Sequence, residues 1–303
     1  MSTERPVDFI GIGAMRCATT WISRCIEEHP QLFIPAGHKE IHFFDRIRTS
    51  AQSLQRERLN YAKGLSWYQQ FFEAADPGQR MGEYTPNYFS DDEAPRLIHK
   101  HFPQVKLILS LRDPIARLRS HHRYVLRNHD DVPATLEEAF RVKNEEYQFL
   151  ELGKYGEHFQ KYLNYFQKDQ IHLIRYEDIR ERPEEVCRKL YTFLDVDNTF
   201  IPLTLTKRVN TSNKTKSQSL LHTMRFVKQS IKKANWARKT VDRLGGVRIG
   251  RWINQQNQSQ DKMSSSRLDP ETISYLKKYY FEDIRLLEKL TGEDLTDWKR
   301  IDD

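Results

Sequence analysis

Three clusters of residues in this chain have types and spacings that can do chemistry. Residues 9–21 read FIGIGAMRCATTW. The apolar run from Phe9 to Gly13 passes into a polar turn with Arg16, Thr19 and Thr20, and Trp21, Ile22, Cys25 and Ile26 then recur at helical spacing as far as His29-Pro30. A strand, a tight turn and a helix N-terminus make an anion site, because first-turn N–H groups lack intrahelical partners and the helix dipole adds positive potential. The two threonine hydroxyls and the Arg16 guanidinium can add to it. A Walker A loop ends in Gly-Lys-Ser/Thr, whereas Ala18-Thr19-Thr20 stands here. That disfavours nucleoside triphosphate hydrolysis, and a buried turn without a ligand stays open on this stretch alone. The second cluster, residues 37–45 (GHKEIHFFD), mixes Lys39, Glu40 and His42 with two aromatics. The third is Arg112-Asp113-Pro114, directly after the apolar run 105–111.

The elements that must position these groups follow from the apolar pattern. Residues 105–111 make the best buried strand, with Pro114 at a favoured helix start and a helix over 115–127. Further strands are expected at 80–84 and 171–175, and a short extended segment at 31–35. Helical patterns cover much of 49–73, then about 91–102, 135–152, 157–167, 184–194 and 270–290, with a break at Gly153-Lys154-Tyr155-Gly156. Residues 202–219 read mostly as loop, and 220–244 as a basic amphipathic helix. Strands alternating with helices predict a right-handed parallel α/β sheet, in which ligands bind beyond the carboxyl ends of the strands. Both polar turns, at 16–20 and 112–113, fall at such ends.

Composition bounds the function. The 303 residues are 38% hydrophobic and 12% aromatic, enough for an ordinary core, and they read as one domain with a core sheet over about 7–200 and a basic, helical C-terminal region over 201–303. No stretch reaches the roughly 18 uninterrupted apolar residues of a membrane span, and the first strand begins too early to leave room for a signal peptide. Three scattered cysteines fit neither a disulfide framework nor a metal site, so a reduced, cytoplasmic protein without a metal is expected. The net charge of +7 is uneven, with thirteen Lys and Arg against the single acid Asp242 between residues 207 and 251. Such a block points to an anionic partner or to a solvated basic face. A nucleic-acid role is disfavoured because no recognition motif accompanies the block.

Taken together, residues 13–20, residues 111–120 (LRDPIARLRS) and residues 39–44 (KEIHFF) resemble the nucleotide-dependent sulfotransferases, in particular the heparan sulfate branch and its bacterial relatives. Residues 82–89 resemble a substrate-side loop, residues 175–178 a segment whose tyrosine lies near the nucleotide, and residues 286–298 the ending of bacterial members. The resemblance implies a P-loop-like three-layer fold and 3′-phosphoadenosine 5′-phosphosulfate (PAPS) as sulfuryl donor. Its 5′-phosphosulfate would lie on Arg16, Cys17, Ala18, Thr19, Thr20 and Trp21, its 3′-phosphate on Arg112 and Ser120, with Tyr176 and Lys214 nearby. It implies Glu40 as general base, assisted by His42, with Arg16 offsetting charge on the leaving oxygen. Arg112 suits a phosphate dianion because its planar fork can bind bidentately, and Ser120, two turns into the helix, can reach the same phosphate.

Departures from the family are also legible. Arg16 stands where a lysine is usual and, with a pKa above about 12, cannot donate a proton. Tyr84 also stands in a lysine position, and Cys17 reads as a packing thiol. Arg117, Arg119 and Arg123 are expected to be solvated. The acceptor is expected to be a glycan or glycolipid hydroxyl, with the 220–244 helix as lid, acceptor site or peripheral membrane contact. A nucleotide kinase and a non-catalytic PAPS-binding relative remain as alternatives.

Overall fold

The computed structural model describes residues 7–35, 37–46, 58–129, 131–206, 213–215, 258–260 and 268–299. The chain forms two compact units, Met1–Lys207 with Ser266–Asp303, and Arg208–Ser265. In the second unit the described residues are two short antiparallel strands, Asn213–Thr215 and Gln258–Gln260. Lys214 lies on the first of these, with its side chain outside the described residues, as is the whole 220–244 segment.

The larger unit is built on five parallel strands: β1 (Phe9–Gly13), β2 (Leu32–Phe33), β3 (Arg80–Tyr84), β4 (Lys106–Leu111) and β5 (Ile171–Arg175), in the order β2-β3-β1-β4-β5. β1 and β4 are buried on both faces, as their unbroken apolar runs require. Where β1 pairs with β3, Gly11 lies opposite Tyr84. A Cβ on Gly11 would come within 2.2 Å of the Tyr84 ring, so the strand carries a glycine where an aromatic must lie across it.

Flanking helices cover the sheet: α1 (Thr19–Glu28), α2 (Leu65–Gln69), α3 (Ala94–His101), α4 (Pro114–Asn128), α5 (Leu136–Tyr147), α6 (Tyr155–Leu163), α7 (Tyr176–Glu181), α8 (Pro183–Phe193), α9 (Pro270–Thr291) and α10 (Thr296–Lys299). Strands 80–84 and 171–175 lie where the pattern predicts. The described part of 49–73 is less regular than its pattern, with two 3-10 turns around α2 and a break at Gly64, which has φ 83. The helix expected over 135–152 stops at Tyr147, where Gln148 turns left-handed at φ 49 and Asn144 Oδ1 accepts from the Leu150 N–H at 2.9 Å.

The expected break at 153–156 is smaller than its two glycines imply. α6 begins at Tyr155 because Asp283, from the distant α9, caps it: the N–H groups of Gly156 and Glu157 donate to its carboxylate, both at 2.9 Å. Gly156 is required there by close approach, since a Cβ would lie 2.4 Å from the Asp283 carbonyl oxygen. Arg117 is a second departure: it is fully buried rather than solvated, and its Nη2 donates to the Phe149 carbonyl.

Candidate functional site at the carboxyl ends of the strands

Because the strands are parallel, the loops leaving β1, β3, β4 and β5 emerge on one edge. The loop after β1 is held from below. Ser110 Oγ donates to the Cys17 carbonyl at 2.7 Å and lies 3.2 Å from the Gly13 carbonyl, to which Tyr84 Oη donates at 3.1 Å. Arg16 and Ala18 take left-handed conformations, φ 71 and 63, which swing the chain into α1. Ala18 is the N-cap residue and offers no side-chain cap, so the first-turn donors at Thr19 and Thr20 are available to an anion.

Two expected members of this loop, Cys17 and Trp21, are packed inward. Cys17 is fully buried, its N–H bonds the Ala14 carbonyl at 3.3 Å, and burial pushes its thiol up to about 11. The Trp21 N–H bonds the Ala18 carbonyl at 2.9 Å, and its side chain packs inward. The first turn and the core thus already engage the backbone N–H and the side chain of both residues.

Arg16 leaves the loop toward α4. Its Nε donates to Ser120 Oγ at 3.3 Å, and its guanidinium lies 4.9 Å from the centre of the Tyr124 ring. Burial, then the nearby Arg127, lowers its pKa from the usual arginine value. The residues expected at the two ends of the donor are therefore in contact. Tyr124 was missed in the sequence reading, although it lies four residues after Ser120 and so on the same helix face. Arg112, beyond β4, stacks on the Tyr176 ring at 4.2 Å, beyond β5. Asp113 is engaged as the N-cap of α4, accepting from the Ala116 N–H at 2.6 Å.

The segment bearing Glu40 and His42 is an ionic chain. His42 Nδ1 is 2.8 Å from Asp45 Oδ2, His42 Nε2 is 3.7 Å from Glu40 Oε2, and Lys39 Nζ is 2.9 Å from Glu40 Oε1. Burial opposes charge on His42, but its bonds to Asp45 and Glu40 prevail and carry it up to about 10. The bond to His42, against burial and with help from Lys39, lowers Glu40 to about 2. Glu40 is 44% exposed and Asp45 only 2%, so the chain runs from a buried anchor to an accessible carboxylate. Asp45 was missed, and its spacing of three from His42 is the only signal the sequence held.

Of residues 82–89, which resemble a substrate-side loop, Asn87 alone is partly exposed. Glu83, Tyr84, Thr85, Tyr88 and Phe89 are all buried, and Tyr84 supports the β1 loop from within.

The sulfotransferase domain family matches residues 6–291. Mouse heparan sulfate glucosamine 3-O-sulfotransferase 3B1 is 28% identical over 188 residues, covering 60% of this chain and 44% of the relative. Human heparan sulfate glucosamine 3-O-sulfotransferase 6 is 30% identical over 159 residues, covering 51% and 42%. The chain thus spans about half the length of the curated relatives it matches. In fold it is similar to a sulfotransferase from Alicyclobacillus acidocaldarius, with a TM-score of 0.69, 20% identity, and 98% and 99% of the two chains covered. With parallel strands directing two cationic stations and an acid–base chain to one edge, and a family match over nearly its whole length, this chain belongs to the sulfotransferase domain family.

Proposed function

We propose that the protein transfers the sulfuryl group of PAPS to a hydroxyl, most readily that of a carbohydrate. The observation that carries the reading is the contact of Arg16 with Ser120, beside the uncapped start of α1. It joins the loop suited to a phosphosulfate with the helix suited to a second phosphate, and no mononucleotide with a single phosphate cluster needs both. Arg112 on Tyr176 supplies a further fixed cation and an aromatic face at the same strand ends.

In the transfer, the acceptor oxygen attacks sulfur as the bond from sulfur to the 5′-phosphate oxygen breaks, and its electron pair leaves with that oxygen. Arg16 offsets the developing negative charge as a fixed cation. The hydroxyl proton goes to Glu40. In the arrangement observed, Lys39 and His42 hold that carboxylate too firmly for an efficient base. A hydroxyl that replaces Lys39 Nζ on Oε1 raises its basicity at the moment of use. The glycan preference is supported by the named relatives, whose sugar substrate belongs to them.

The test is calorimetric titration with 3′-phosphoadenosine 5′-phosphate, the desulfated product, beside ATP and AMP. Binding of the 3′-phosphorylated nucleotide alone is expected. Arg112→Ala should weaken it by about 1.5–3 kcal/mol for each charge-assisted bond lost, a factor of ten or more. Equal binding of ATP, or an unaffected Arg112→Ala variant, would overturn the reading. Transfer of labelled sulfate from PAPS to a panel of glycans then tests the acceptor class.

A further inference from the structure

Glu83, near the end of β3, is wholly buried, and the transfer chemistry above gives it no role. Three hydroxyls surround it. Tyr68 and Tyr88 donate to its Oε1 at 3.0 and 2.8 Å, and Thr85 donates to its Oε2 at 2.6 Å. A hydroxyl has one proton and two lone pairs. With the protons directed at Glu83, the lone pairs of two of these groups serve the base-bearing segment. Thr85 Oγ1 accepts from the His42 N–H at 3.4 Å, and Tyr88 Oη accepts from the Phe43 N–H at 2.9 Å. His42 sits at φ 53, a left-handed conformation that a histidine keeps only where its surroundings over-determine it.

We infer that Glu83 is a positioning residue: by claiming the hydroxyl protons of Thr85 and Tyr88, its carboxylate turns their oxygens toward the backbone of His42 and Phe43 and so holds Glu40 and His42 in their working geometry. The inference rests on the reading of Glu40 and His42 as the acid–base pair. It also makes the anchor dependent on protonation. A protonated Glu83 has an O–H that must itself donate, so the three hydroxyls cannot all keep their present directions, and in this buried place a reversed hydroxyl proton loses its acceptor. The titratable groups facing Glu83 are Tyr68 from α2, Tyr88 from the turn after β3, and Asp45 from the segment that carries His42. Asp45 Oδ1 is itself buried with no hydrogen-bond partner among the described residues. Burial raises Glu83 against the pull of its hydroxyl bonds, to about 7, so the anchor changes state across neutral pH.

The test records the His42 ring resonances by NMR across pH in the wild type, Glu83→Gln, Tyr88→Phe and Thr85→Val, with calorimetry of 3′-phosphoadenosine 5′-phosphate on each. The wild-type His42 signal is expected to show an inflection near neutral pH, separate from its own titration, and Glu83→Gln to abolish it. Tyr88→Phe keeps the ring but frees the Phe43 N–H, and should change the proton affinity of His42 by about tenfold, one pH unit. Nucleotide affinity should stay unchanged throughout. A wild-type curve lacking the neutral inflection would overturn the inference, as would Tyr88→Phe and Thr85→Val curves superimposing on it. If Glu83→Gln does not fold, the other two variants decide the matter. Failure of the wild type to bind the nucleotide would instead overturn the donor-site reading, and the His42 curves would judge the positioning role independently.

Discussion

Replacing Asp45 by asparagine removes a charge from the chain Lys39–Glu40–His42–Asp45 while leaving its shape. Asp45 Oδ2 lies 2.8 Å from His42 Nδ1 with the aspartate side chain 2% exposed, whereas Glu40 is 3.7 Å from the other ring nitrogen and 44% exposed. The buried partner should therefore dominate, since solvent screens the exposed one. An asparagine amide oxygen can still accept from Nδ1 of the charged ring, so what is lost is the attraction of the buried opposite charge, about one to two pKa units or about 1.5–3 kcal/mol. At about 1.4 kcal/mol per tenfold, the His42 midpoint should fall from about 10 by about one to two pH units. The assay is an NMR titration of the His42 ring. Stability should follow the same sign. A histidine whose folded pKa lies above its unfolded 6.5 stabilises fully below that value, and the contribution fades as pH rises through about 10. The unfolding free-energy difference between wild type and Asp45→Asn should thus be largest near pH 6.5 and shrink toward pH 10. A His42 midpoint that stays near 10 in the variant would refute the reasoning and assign the imidazolium to Glu40 alone.

Two further outcomes are expected. Gly156→Ala, whose Cβ would meet the Asp283 carbonyl oxygen at 2.4 Å, should cost about 1–3 kcal/mol as overpacking does; an unchanged denaturation midpoint would contradict the close packing of α6 on α9. All three cysteines are buried, and Cys17 is raised to about 11. The native protein should therefore show no fast-reacting thiol at pH 8, and rapid alkylation mapped to Cys17 would place it in an open loop instead.

The local elements could be read from the order of residues alone. Apolar runs marked β1 and β4 because both are buried on both faces. Pro114 marked the start of α4, since proline suits the first helical position, and Asp113 caps it. Arg16 and Arg112 stood out as charges in the turns directly after apolar runs, whereas Glu40 stood out through the family resemblance. The partners of these residues emerged with packing. Asp283 caps α6 from 127 residues away, and no local pattern announces it. Arg117, expected in solvent, is buried because the covering segment around Phe149 comes from beyond the next helix. Glu83 read as part of a substrate-side stretch, yet it lies at the centre of three hydroxyls. A buried carboxylate and an exposed one are the same letter in a sequence. Their difference is the solvent removed and the donors supplied by other segments, which exist only once the chain has packed.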